Sequence, residues 1–131
     1  MILVIGISHF MNFYLISIVI KSRKQYGVEY PTLYLPADHK DAFSYNSTQR
    51  AHQNTLEMWS SVQVMMVITG IVYPVVSAVL GAVWVLGRVI YGFSYSAGGP
   101  EKRIIGTFIS HLGDFPLIIL CFVSVWKVYT A

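Results

Sequence analysis

Four apolar runs, each close to 20 residues, take up most of this chain, and a helix of that length is what crosses a bilayer core of about 30 Å. They extend over roughly 1–20, 58–76, 79–95 and 104–127 of the 131 residues. None alternates polar and apolar positions with period two, which sets aside a membrane β-barrel. A water-soluble alternative fails on surface chemistry. Only 11% of the residues are charged and 55% are hydrophobic, whereas soluble domains are nearer a quarter charged. The sequence predicts an all-α, integral membrane four-helix bundle forming a single domain over 1–131. The first run is followed, not preceded, by the basic residues Lys21, Arg23 and Lys24, so it is expected to be a retained span and not a cleaved signal. Cys121 is the single cysteine, which excludes a disulfide framework within one chain.

The basic residues orient the bundle. Lys21, Arg23, Lys24, Lys40 and Arg50 follow the first run, and Lys102 and Arg103 separate the third from the fourth. Both connections fall on one side of a four-span bundle, while the connection around "VYPVVSA" carries no lysine or arginine. The positive-inside rule makes the basic side cytosolic, with both termini across the membrane. The net charge of +3 is thus a topology signal and not a nucleic-acid footprint.

The polar stretch "NSTQRAHQNTLE" leads into the second span. Asn46, Ser47 or Thr48 is expected to cap that helix. Arg50, Gln53, Asn54 and Glu57 are spaced i, i+3, i+4, i+7 and share one face, with His52 off that line. Arg50 and Glu57 either satisfy each other at the bundle's end or face a polar cavity. Arg88, Tyr91 and Tyr95 form a second aligned face on the third helix. An arginine inside a span costs at least about 2.5 kcal/mol on insertion scales, so Arg88 is expected to be paired, to face a cavity, or both. For the tyrosines, an interfacial aromatic belt is the plainer alternative. Gly98, Gly99 and Pro100 end the third helix. Lys102 and Arg103 then stand at the start of the fourth, against its dipole, where an anionic partner suits them. His111 and Asp114, at i and i+3, can pair, as part of a hydrogen-bonded network or as a metal or proton site. Together these groups suit a small water-soluble ligand with several carboxylates and an amine, beside an apolar co-substrate in the lipid.

Three blocks carry a resemblance: "SRKQYGVEYP", "RAHQNTLE" and "GRVIYGFSYSAGGPEKR". In this order they resemble the membrane-associated proteins in eicosanoid and glutathione metabolism, over roughly residues 15–106. The resemblance implies a homotrimer with glutathione, as co-substrate, bound between neighbouring subunits on the cytosolic side. It implies that Arg23 and Arg50 hold glutathione carboxylates and that Asn54 and Glu57 bind its polar backbone and amine. His52, Tyr91 and Tyr95 would complete the pocket. Arg103 would be the catalytic arginine facing the sulfur, with Lys102 as the fallback. The implied activity is that of a glutathione transferase or peroxidase acting on a lipophilic electrophile or a lipid hydroperoxide. No metal is implied. The endoplasmic reticulum is the expected membrane, with a mitochondrial membrane as the alternative. The sequence departs from the pattern at Lys24, where some members have a second arginine, and at Met58 and Trp59, which replace an aromatic–proline pair. The Met58–Trp59 change motivates a competing expectation, a non-catalytic accessory subunit of a larger membrane complex. A small transporter using Arg88, His111 and Asp114 is a third.

Overall fold

The computed structural model describes residues 1–130. It contains four long helices: α1 (Ile2–Tyr26), α2 (Ala42–Val72), α3 (Pro74–Gly98) and α4 (Ile104–Thr130), with a short 3₁₀ turn, Pro100–Arg103, leading into the last. All four are long and apolar enough to cross a membrane. The protein is an integral membrane four-helix bundle. Its core draws on every helix: Met11 and Leu15, Val62 and Met66, Trp84 and Val85, and Leu117. Large apolar side chains such as Phe10, Phe13, Ile71, Leu86, Phe93, Phe115 and Phe122 point outward, where lipid replaces water as the solvent.

The helix limits differ from the hydropathy reading. Helix α2 begins at Ala42, sixteen residues before the expected span. Its polar first half buries Tyr45, Ser47, Thr48, Gln49 and Ala51, so packing, not hydrophobicity, fixes it as helix. At about 46 Å α2 exceeds a bilayer core of about 30 Å by about half, and that surplus is its polar end. Asn46 is therefore not a cap. It lies inside the helix, its side-chain amide donating to the Leu35 carbonyl and its oxygen accepting from the Leu35 N–H, both at 2.8 Å. Asp41 takes the N-cap position. The break between α2 and α3 comes at Tyr73, because Pro74 disfavours a helical conformation in the residue before it and has a fixed φ suited to opening α3. The third helix thus starts five residues before the expected Val79.

Glycine and serine set the distance between α3 and α4, the most extensive helix pair. A Cβ on Gly106 would strike the backbone of Tyr91, one on Gly113 the Leu80 carbonyl, and one on Gly87 the backbone of Ser110. Close backbone approach at small residues is how helices gain packing energy in lipid. Helices α1 and α2 are joined differently, by polar contacts. Trp59 Nε1 and Gln63 Nε2 donate to Ser8 Oγ at 3.0 and 2.7 Å, and Ser8 donates to the Ile5 carbonyl. Replacing Ser8 by Ala leaves two donors without their acceptor. We expect Ser8→Ala to lower stability by about 1 kcal/mol, read as a reduced thermal midpoint in detergent, with the α3–α4 seam unaffected.

The α1–α2 connection and the α3–α4 turn lie at one end. Phe43 covers Gly99, whose φ of 79° is open to glycine without strain. At the other end Lys127 sits 5.0 Å from the Tyr73 ring. Lys21, Arg23, Lys24, Lys40, Arg50, Lys102 and Arg103 are thus grouped near one end of the bundle.

Candidate active site

Three helices contribute regular stripes to one cavity of about 410 Å³ at the basic end. Arg50, Asn54 and Met58 come from α2, Arg88 and Tyr91 from α3, and Thr107 and His111 from α4, with Arg103 at its threshold. The α2 and α4 stripes are both i, i+4, i+8, the spacing that keeps side chains on one helix face. Met58 stands out in the sequence only as a departure from the family pattern; here it lines the wall.

Arg88 is the deepest cation, 3% exposed. Its Nη1 donates to Asn54 Oδ1 at 3.0 Å, and its guanidinium lies 5.5 and 5.2 Å from the Trp84 and Tyr91 ring centroids. Of the alternatives expected for it, a partner, a cavity or both, Arg88 has both. Its Nε has no partner. Asn54 is therefore already engaged by Arg88. Tyr91 and Tyr95 are buried and pack edge to face at 5.5 Å, as two aromatic quadrupoles prefer. Arg103 reaches back to this pair, with Nη1 3.5 Å from the Tyr95 hydroxyl and its charge 5.4 Å from the ring centre. Lys102 is exposed and lies over Gly98, away from the cavity lining.

Arg50 and Glu57 form a two-pronged ion pair, 2.9 and 3.4 Å, on one face of α2. Both side chains are close to half exposed, 46% and 43%, so an incoming carboxylate has access to the guanidinium. Arg50 also lines an adjoining cavity of about 440 Å³ with Tyr34, Asn46, Tyr95 and Pro100. The two spaces meet at Arg50.

Two expected ligand-binding residues stand elsewhere in the chain. Arg23 donates to the Thr32 carbonyl and the Tyr45 hydroxyl, both at 2.9 Å, with the Tyr30 ring 3.9 Å from its guanidinium carbon. Its Nε and Nη2 are buried without partners, and it lines a separate cavity of about 280 Å³ with Lys24 and Glu29. His52 is half-buried between α1 and α2, its Nε2 3.0 Å from Asn12 Oδ1. That contact joins residues 40 positions apart and leaves no local signal in the sequence. Thr107 and His111, by contrast, were findable by stepping i+4 and i+8 from Arg103.

His111 and Asp114 do pair, within α4. Nδ1 lies 3.1 and 3.2 Å from the two carboxylate oxygens, and the imidazole stacks on Phe115 at 4.6 Å with an 8° tilt. Among the described residues no three His, Cys, Asp or Glu side chains converge as a metal would require.

Comparison with known proteins adds the lineage. An uncharacterized protein of Synechocystis sp. is 29% identical over 114 residues, a match covering 82% of this chain and 74% of that protein. The MAPEG family profile matches residues 1–123, which takes in all three motif blocks, the arginine-lined cavity and most of α4. The chain belongs to the MAPEG family, the membrane-associated proteins in eicosanoid and glutathione metabolism.

Proposed function

We propose that the protein is a glutathione-dependent membrane transferase and peroxidase that prepares glutathione as a thiolate for attack on lipid-borne electrophiles or lipid hydroperoxides. The observation that carries this reading is the convergence of Arg50, Arg88 and Arg103 from three helices on one cavity. Arg88 is held by Asn54, which leaves Arg50 and Arg103 for a ligand. Glutathione fits as a substrate of such a place, with two carboxylates, an amine and an acidic thiol. Arg50 exchanges Glu57 for a ligand carboxylate, and Glu57, once released, takes up the ligand's ammonium. Arg103 holds the sulfur as thiolate, because a nearby cation lowers a thiol pKa from about 8.5 and arginine stays charged when desolvated.

The unpartnered nitrogens of Arg23 fit a second anionic contact. Its cavity is separate within one subunit, which favours a ligand held between subunits of a homotrimer. Within the family, the motif blocks resemble those of the type-3 microsomal glutathione S-transferases. In a compartmented cell, the endoplasmic reticulum is the membrane this likeness favours, with a mitochondrial membrane as the alternative.

Calorimetric titration of glutathione into the purified protein in detergent tests the reading. Saturable binding is expected, weakened about 10- to 100-fold by Arg50→Ala, the worth of a hydrogen bond to a charged group. A well-folded wild-type protein that takes up no glutathione would overturn it. The accessory-subunit reading would then stand in its place.

A further inference from the structure

The proposed function does not use the His111–Asp114 pair, although His111 lines the same cavity as Arg103. We propose that His111, held by Asp114 on the membrane-facing side of that cavity, donates the proton to the alkoxide that leaves when a lipid hydroperoxide is reduced there. The inference rests on the glutathione reading above and deepens it, naming organic hydroperoxides as the substrate class for which this site is equipped.

Depth orders the two groups. Arg103 stands at the threshold of α4, and His111 lies eight residues further along the same face, about 12 Å deeper. Side chains on a helix lean toward its N-terminus, so the imidazole leans back toward the Arg103 level. A thiolate at Arg103 therefore meets a hydroperoxide whose alkyl part lies on the lipid side, and the oxygen attached to that alkyl part is the one nearer His111.

The pair is built to present one nitrogen. Asp114 is 1% exposed and its carboxylate, an acceptor only, fixes the Nδ1 proton of the ring. Stacking on Phe115 fixes the ring plane. Nε2 is left with no hydrogen-bond partner, on a side chain that is 37% exposed at the cavity. The groups facing this point are Arg50, Arg88, Arg103 and Tyr91 from the cavity wall and Asp114 from its own helix. Three cations oppose a fourth positive charge, and Asp114 is the carboxylate that compensates it. Imidazole is the side chain suited to exchanging protons near neutral pH.

In the step itself the thiolate sulfur attacks the terminal peroxide oxygen. The S–O bond forms as the O–O bond breaks, sulfur is oxidised and the peroxide reduced. The electron pair departs on the alkyl oxygen, and Nε2–H of the imidazolium protonates it to give the alcohol. An alkoxide is at least as strong a base as hydroxide, so it leaves poorly without that proton. His111 recovers a proton from water at the cavity mouth, where ionisation of the thiol released one. A second glutathione then reduces the sulfenic acid to disulfide and water.

The test compares two reactions on one protein. Cumene hydroperoxide needs a protonated leaving group, whereas an aryl chloride releases chloride and needs none. For His111→Gln we expect hydroperoxide turnover to fall about 100-fold, the low end for a general acid, with a much smaller loss of thioether formation and unchanged glutathione affinity. His111→Ala serves as the second variant and should behave alike. Equal losses in both reactions, or no loss in either, overturn the inference while leaving the glutathione reading intact. A wild-type protein that binds no glutathione overturns the reading beneath it.

Discussion

Arg103→Ala should lower turnover up to about 30-fold at neutral pH, because a thiol with a pKa of about 8.5 is only about 3% ionised there, while glutathione binding weakens far less. The reason is positional. Arg103 touches the Tyr91–Tyr95 pair through Tyr95 and makes no ion pair with Asp or Glu among the described residues. Its charge thus has no carboxylate partner among the described residues, unlike that of Arg50. Removing it lets the bound thiol return toward its ordinary pKa of about 8.5. The sign follows: the deficit is largest in acid, shrinks about tenfold per pH unit as the thiol ionises unaided, and nearly closes at alkaline pH. A pH–rate profile of the variant beside the wild type reads this directly. A deficit that stays constant across pH would assign Arg103 to positioning and not to thiolate stabilisation. Arg103→Lys should recover part of the acid-side rate, since it restores the charge but not the planar fork.

Gly106→Val is the second change with a large expected effect, and here the fold fails before the chemistry. The new Cβ would run into the backbone nitrogen and Cα of Tyr91, and neither helix backbone can yield as a side-chain tip would. Helices α3 and α4 must part. Overpacking of this kind costs about 1–3 kcal/mol or more, and it also draws Tyr91 out of the cavity wall. We expect little monodisperse protein on size exclusion in detergent and no glutathione binding by what remains. Gly6→Ala is the matched control, because nothing lies within 4 Å of the added carbon. It should express and elute as wild type.

The contrast between these sites bears on what could be read from sequence. The bundle was legible because 20 apolar residues have few other uses. The stripes on α2 and α3 were legible because 3.6-residue periodicity aligns Arg50 with Asn54 and Arg88 with Tyr91. The length of α2 was not, since hydropathy reports the solvent a helix prefers and not whether polar residues are helical; Asn46 looked like a cap and proved to be a clamp on Leu35. Partners made across the bundle were equally hidden. His52 sits on the right helix, but its contact with Asn12 turns it toward α1. Arg23 shares a charge type with Arg50, and only the folded chain shows them lining different cavities.

The half-exposed Arg50–Glu57 pair has a consequence for the life of a single copy. Glu57 and Ser60 and Ser61 beyond it are exposed on α2, on a helix that is otherwise entering hydrocarbon. A lone subunit would have to show these groups to acyl chains, thin the bilayer around them or draw in water. A sister copy placed against that strip removes the difficulty. If a second copy covers the strip, the stability of the fold becomes a function of how many chains share a patch of membrane, and dilution into excess lipid should lower it.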